Sequence, residues 1–397
     1  MAVKLLPVDG VIADLLSAVA PIQETRFFSL GDANGRYLAR DVTSAINVPP
    51  EANSAMDGYA VNSADIVQDG RYEISDRIPA GSVGQPLVAG TVARIFTGAQ
   101  IPPNADAVIM QEDTEIVGEQ VRINTTALPG KNVRPRGQDI CIGATILNRG
   151  RRIQPQDLGL LASVGYSEVE IFRPLKIGLM STGDELIEPP NPLQPGQIYN
   201  SNHYALSGLV GSMGMEVVDL GVVEDTPEAT IDVLRKGAEC CDCILSTGGV
   251  SVGEEDYVKG AVEELGRLDV WRLAIKPGKP LAFGNVLGTP FFGLPGNPVS
   301  MFVTFLIIAK PYLIALQGGA DAENKFLIGE ADFEFQAGAR REYLRVRVHT
   351  DQDRVLLRKF SEQGSGIMSS VSWADALVEV EMGQQVRRGD PLRYCML

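Results

Sequence analysis

The stretch STGGVSVGEEDY, residues 246–257, follows the apolar run CDCILS and decides how the chain is read. A buried strand runs into paired glycines and then into an acidic start of helix. Strand, glycine turn and helix together present backbone N–H groups to an anion. Three acids at the same turn, Glu254, Glu255 and Asp256, would repel that anion unless a cation came with it. The combination points to phosphate handled together with a divalent ion. The motif is neither the GxGxxG fingerprint nor a P-loop.

Working outward, the same rhythm recurs. LKIGLMSTGDEL (175–186) is a buried strand ending in a second Ser-Thr-Gly, followed by Asp184 and Glu185. MEVVDLGVVED (215–225) is a strand ending near Asp225, and TPEATIDVLRKGAECC (226–241) is a helix with Thr226 as N-cap and Pro227 at its first position. VWRLAIKPGKPLAFG, TPFFGLPGNP and the apolar helix VSMFVTFLIIAKPYLIAL complete a Rossmann-like three-layer α/β unit, expected to hold a parallel sheet with ligands at the strands' C-terminal ends. Carboxylates gathered round such an edge suit Mg2+, which takes oxygen ligands and phosphate.

Two rigid turns lie on this edge. In IKPGKP (275–280), Lys276 and Lys279 put two ammonium groups beside one turn, suited to an oxyanion. In GLPGNPVS (293–300), Asn297 is expected to cap the following helix. Alone, each would read as stiff loop geometry.

The remaining chain divides by composition. Residues 1–42 and 141–174 read as a helical linker unit. Residues 43–140 form a β-rich insertion of short strands and Gly/Pro turns. The α/β unit spans 175–322, and 323–397 is a basic, strand-rich C-terminal unit. In the insertion, NSAMDGYAV supplies Asp57, FTGAQIP supplies Thr97, and NVRPRGQDI supplies Asp139. Three polar loop tips on one small unit read as a lid or second substrate face. In the tail, Arg341, Arg345, Arg347 and Arg358 lie on strand-like stretches whose default explanation is a solvated face, with the hydroxyls of GSGIMSSVSWADAL beside them.

Bulk properties exclude some classes. The chain has 397 residues and a formal net charge of −15, which argues against nucleic acid and anionic membranes as partners. No run of eighteen uninterrupted apolar residues suggests a span. Five cysteines, three of them in CCDC (240–243), lack a second cluster at metal spacing and read as reduced thiols of a cytoplasmic protein. With only two histidines, His203 and His349, acid–base and metal chemistry rests on Asp, Glu and Lys.

Seven segments resemble, in order and across essentially the whole chain, the molybdopterin molybdenumtransferase (MoeA) family, whose relatives include the E domain of gephyrin: NSAMDGYAV, FTGAQIPPNADAVIMQED, VRPRGQDI, STGDEL, STGGVSVGEEDYVK, AIKPGKPLAFG and GLPGNPVS. The resemblance implies a homodimer of four-domain subunits with a cleft shared between them. It implies insertion of molybdate into adenylylated molybdopterin, release of AMP and dependence on Mg2+. It assigns Gly248, Gly249, Ser251, Gly253, Pro295, Asn297 and Pro298 to the pterin nucleotide. Asp57, Thr97, Asp139, Glu185, Asp225 and Asp256 become catalytic, with Glu185, Asp225 and Asp256 as metal ligands. Lys276, Lys279, Arg345 and Ser370 become the molybdate pocket. A molybdopterin adenylyltransferase and cofactor-accepting proteins are implied as partners. Two alternatives remain at this stage: a scaffold of the gephyrin type, and a molybdopterin adenylyltransferase.

Overall fold

The computed structural model describes residues 5–249 and 257–397. Its centre is a six-stranded sheet in the order Glu216–Val223, Lys176–Thr182, Cys243–Thr247, Thr289–Leu294, Pro280–Val286 and Gly266–Arg272. The first four strands are parallel. All five residues of Cys243–Thr247 are buried, as expected of a strand covered by helices on both faces. The helix Pro227–Cys240 starts as the sequence indicates, the Ala229 N–H donating to the Thr226 hydroxyl at 3.3 Å.

The sheet is not parallel throughout. Pro280–Val286 pairs antiparallel with both of its neighbours. Leu287 and Gly288, at φ 51° and 98°, turn the chain in two residues, and a two-residue connection can only return antiparallel. An expectation of an all-parallel sheet, built from strand–helix alternation alone, misses this hairpin.

Pro298–Leu316 is helical over 19 residues, with wider turns at Phe305–Ala309. Its mean hydropathy of 2.0 and its length would permit a membrane crossing, but 83% of it is buried inside the protein. It is a core helix, and Val299, Val303, Ile307 and Leu313 join Leu179, Leu245 and Phe292 in the largest apolar cluster.

Around this core the chain arranges three further packed regions. Val42–Thr43 pairs with Thr145–Leu147, so the segment between them leaves and re-enters at adjacent points. Thr25–Ser29, expected to be helical, is a strand paired antiparallel with Glu168–Phe172. Its Thr and two Phe side chains fit a pleated surface better than a helix, and a partner strand is available. The first helix, Val8–Ala18, buries Val8, Val11 and Leu15 in the α/β core and not with the linker cluster of Leu38, Leu161 and Ile171.

The inserted segment carries a six-stranded sheet ordered Ala107–Met110, Gly58–Val61, Val92–Ile95, Arg71–Ile78, Gln120–Ile123 and Thr114–Val117. In the tail, Arg341–Asp351 pairs with Arg354–Lys359 on one side and Ala376–Val380 on the other. Leu327–Ala331 and Pro391–Met396 complete the ring, so five strands close into a small barrel. Closure removes the free edges that a strand-rich tail would otherwise expose.

Gly58 shows how tightly the inserted sheet is drawn. A Cβ there would fall within the van der Waals envelope of the Ile109 carbonyl on the neighbouring strand. Gly58→Ala is therefore expected to cost about 2 kcal/mol through overpacking. A thermal melt followed by circular dichroism checks this; an unchanged Tm would refute the tight approach.

Candidate functional site at the strand ends

The C-terminal ends of the parallel strands lie at one edge of the sheet, and Ser181 sits level with Thr247. At that edge is a cavity of about 890 Å3. Its wall includes residues of Thr182–Leu186, Thr247–Gly249, Lys276–Pro280 and Pro295–Pro298, together with residues 198–202, Arg340 and Gln363–Gly366. The first four are turns that the sequence marks out, and Arg340 and Gln363–Gly366 come from the tail.

The two Ser-Thr-Gly ends interlock. The Thr247 hydroxyl lies 3.1 Å from the Ser181 hydroxyl, which also takes a hydrogen bond from the Asn200 amide at 3.2 Å. Asn200 donates to Glu188 as well, at 2.7 Å. These buried polar groups satisfy one another and fix where the turns begin. Gly248, at φ 89°, has no room for a side chain: a Cβ would sit 2.8 Å from the Thr182 carbonyl. The glycine pair is thus required by the close packing of two strand ends. Glu185 lines the cavity with its carboxylate folded back over Gly183.

The cationic side is more divided than its sequence suggests. Lys276 lines the cavity, but its ammonium is 3.0 Å from the carboxylate of buried Glu342. Lys279 lines the cavity with no ion-pair partner among the described residues. Arg340 also lines it and donates to the Ile275 carbonyl at 3.0 Å. Sequence reading passed over Arg340 for its neighbours Arg341, Arg345, Arg347 and Arg358. Those are otherwise engaged: Arg341 forks onto Asp9, Arg347 lies over Trp373, and Arg358 faces Asp332. No sequence signal marked it: Arg340 immediately precedes the strand that pairs with Ile275–Lys276, and only that long-range pairing brings it to the cavity.

Arg345 and Ser370 do not line the cavity. Both are fully buried, and Arg345 donates to the Ser370 hydroxyl at 3.0 Å and to the Gly364 carbonyl at 3.1 Å. Burial pulls the guanidinium down to about 10, still protonated at neutral pH. The pair stands one layer behind the wall and holds the 363–366 loop in place. That loop in turn accepts from the Val299 N–H through the Ser365 carbonyl at 3.0 Å. Asn297 lines the cavity next to Pro295 and Pro298, at the N-cap position, but its side chain does not cap the helix as expected. Instead, Asn202 ties this turn down by donating to the Gly296 carbonyl at 2.7 Å. Asn202 lines the cavity too and was missed, since an asparagine in a helix carries no motif.

Asp225 is exposed just beyond the end of Glu216–Val223, the next strand over, and is not part of the cavity wall. Ser251, Gly253 and Asp256 lie outside the described residues. Among the described residues no three His, Cys, Asp or Glu side chains group as metal ligands.

The inserted unit forms a second polar face. Asp57 accepts from both the backbone N–H and the hydroxyl of Thr97, each at 2.8 Å. The Thr97 backbone bond first, then its hydroxyl, holds the Asp57 carboxyl below the usual carboxylate range. The three loops interlock through backbone hydrogen bonds from Gly98 to Ser54 and from Ala55 to Asn132. Asp139 is exposed on the third loop. None of Asp57, Thr97 and Asp139 lines the cavity at the strand ends of the same chain.

Comparison with known proteins fits this layout. Residues 6–165 match the model of the MoeA N-terminal region (domain I and II), residues 178–315 that of a probable molybdopterin binding domain, and residues 330–396 that of the MoeA C-terminal region (domain IV). The Haemophilus influenzae protein named molybdopterin molybdenumtransferase is 40% identical over 317 residues, covering 79% of this chain and 78% of its own length. A Nostoc protein of the same name is 35% identical over 94% of this chain and 89% of its own. The crystal structure of the molybdopterin biosynthesis moeA protein from Pyrococcus horikoshii superposes with a TM-score of 0.87, at 28% identity, over 99% of this chain and 100% of that one. With three matched regions in order and relatives at this identity over most of their length, the chain belongs to the molybdopterin molybdenumtransferase (MoeA) family of transferases.

Proposed function

We propose that this chain completes molybdenum cofactor by inserting molybdate into adenylylated molybdopterin with release of AMP, in the presence of Mg2+. In this reading it acts as a cytoplasmic homodimer, takes its pterin from a molybdopterin adenylyltransferase and passes product to cofactor-accepting proteins. The observation that carries it is the single cavity of about 890 Å3 where two glycine-bearing strand ends, the KPGK turn and the tail loop come together. It offers a nucleotide-sized space whose wall carries Lys276, Lys279, Arg340 and the carboxylate of Glu185.

The chemistry asked of the protein is modest. Water attacks the AMP phosphorus, the bridging P–O bond breaks, AMP leaves with the new P–O bond and the pterin keeps its own phosphate; two Mo–S bonds then form as one molybdate oxygen leaves as water with the two thiol protons. Positioning and charge neutralisation carry such a step, so a chain with two histidines is not at a disadvantage. The turn at Gly248–Gly249 and the Pro295–Pro298 turn would hold the nucleotide portion. Lys279 and Arg340 supply charge to a tetrahedral dianion, with Lys276 partly neutralised by Glu342. Arg345 and Ser370 contribute by holding the loop that carries Gly364.

The donor set fits magnesium, which needs only one or two carboxylates and completes its shell with water and phosphate oxygens. Glu185 on the cavity wall and Asp225 on the next strand end would hold it, and it would neutralise the phosphoanhydride. The separation of Asp57, Thr97 and Asp139 from this cavity supports a cleft completed by a second subunit.

Three experiments test the reading. Lys279→Ala, assayed with adenylylated molybdopterin, molybdate and Mg2+, should release AMP and form cofactor about a hundredfold more slowly than wild type; equal rates would sink the assignment. Mixing inactive Asp57→Asn and Lys279→Ala proteins should restore roughly a quarter of wild-type activity through random assortment in a two-fold dimer, whereas a cleft built within one subunit restores none. Asp57 should be fully ionised at neutral pH, its contribution to stability being lost as pH falls through its lowered value. Thr97→Val removes one donor and should shift that loss to higher pH, read as the Asp57 carboxyl titration by NMR. No movement of the midpoint would refute the role given to Thr97.

A further inference from the structure

A second cavity, of about 720 Å3, lies where residues 148–154, the helix Lys310–Leu316, residues 320–325 and the end of the last strand meet. It shares no lining residue with the cavity at the strand ends. Its size falls in the range of small-molecule pockets. Its charge runs against that of the chain. Arg149, Arg151, Arg152, Lys310 and Lys325 line it, against Asp321 and Glu323, while the whole protein carries −15.

Two of these cations are neutralised locally. Arg151 forks onto Asp157, with both bonds at 2.9 Å, and Lys325 pairs with Asp321. The side chains of the other three form no ion pair among the described residues, although the Arg149 backbone N–H donates to Asp41 at 2.7 Å. Arg149 lies over the Phe172 ring at 5.3 Å. Arg152 donates to the backbone carbonyls of Gly35 and Ser212. Lys310 is half-buried, and its side chain forms neither a hydrogen bond nor an ion pair among the described residues. Burial first, and the Arg152 charge with it, pull the Lys310 ammonium below the ordinary lysine value. Cys395 beside it acts the other way and raises the Lys310 value, while burial pushes its own thiol up to about 11.

A partly desolvated ammonium with no counter-ion destabilises the protein that carries it. The penalty disappears when an anion enters. Two guanidiniums and an ammonium are more charge than one carboxylate can balance, and they suit a multiply charged oxyanion. The cavity also has an apolar wall, with Leu306 and Ile314 buried along the helix and Tyr37 opposite. We propose that this cavity is a second binding site, for a small organic phosphate, whose phosphoryl group sits among Arg149, Arg152 and Lys310 and whose organic part rests on Leu306, Ile314 and Tyr37.

Inorganic pyrophosphate serves as the probe, titrated by calorimetry into the full-length protein. Wild type should show two classes of site. Lys310→Met, which keeps the volume and removes the charge, should weaken one class at least tenfold and leave the other, which Lys279→Ala should weaken instead. Without phosphate, Lys310→Met should have a higher Tm than wild type, and pyrophosphate should raise the Tm of Lys310→Met by less. A variant that titrates and melts like wild type would overturn the proposal. So would one whose only change is its oligomeric state, since the cavity would then be a subunit contact. Activity with saturating substrates should be unaltered in Lys310→Met, which separates this site from the cleft; loss of activity there with intact pyrophosphate binding would refute the separation.

Discussion

The candidate site exists because one buried carboxylate holds the tail against the sheet. Glu342, nearly inaccessible to solvent, accepts the Lys276 ammonium at 3.0 Å and the Gly338 N–H at 2.9 Å. The same contact is continued by backbone pairing, with Ile275 and Lys276 running parallel beside Arg341 and Glu342. A carboxylate taken out of water must be matched, and here its partners come from its own turn and from the KPGK turn of another unit. Apolar contact adds to that pairing, since Tyr343, Val371, Leu377 and Cys395 of the tail are buried in the same cluster as the α/β core. With both, the loop 363–366 becomes a wall of the cavity at the strand ends, and Arg340 is delivered to the same space.

The pairing also redistributes charge. Lys276 is partly neutralised, leaving Lys279 and Arg340 as the cations that face the cavity. Arg345 is withdrawn into the barrel, where it organises the loop through Ser370 and Gly364. Such layering is economical in a chain with fifty acidic side chains. Positive charge is concentrated at two cavities and spent elsewhere on local ion pairs such as Arg173 with Asp242 and Arg341 with Asp9. Anions can then be drawn to defined places by a protein whose net field is repulsive.

Much of the α/β unit was legible because its cues are local. STGGVSVGEEDY and STGDEL announce strands that end in turns, and Thr226 with Pro227 announces a helix start. These depend on residues a few positions apart. The antiparallel hairpin at Leu287-Gly288 was misread because the left-handed conformation of a leucine leaves no mark in composition. The strand Thr25–Ser29 was misread because its partner, Glu168–Phe172, is nearly 150 residues away. Asp57 and Thr97 were legible singly, but their hydrogen bond joins loops 40 residues apart. Arg340 and Asn202 escaped because neither belongs to a motif; each matters only through what its neighbours bring near it.

The amino-acid sequence by itself determined the family, the order of the units and the turns that line the cavity at the strand ends, since each is written in short runs whose backbone preferences are local. Only the tertiary structure decided which cations line a cavity and which are tied to carboxylates or buried. That choice is made by desolvation and by contacts between residues far apart in the chain, and neither is a property of any one segment.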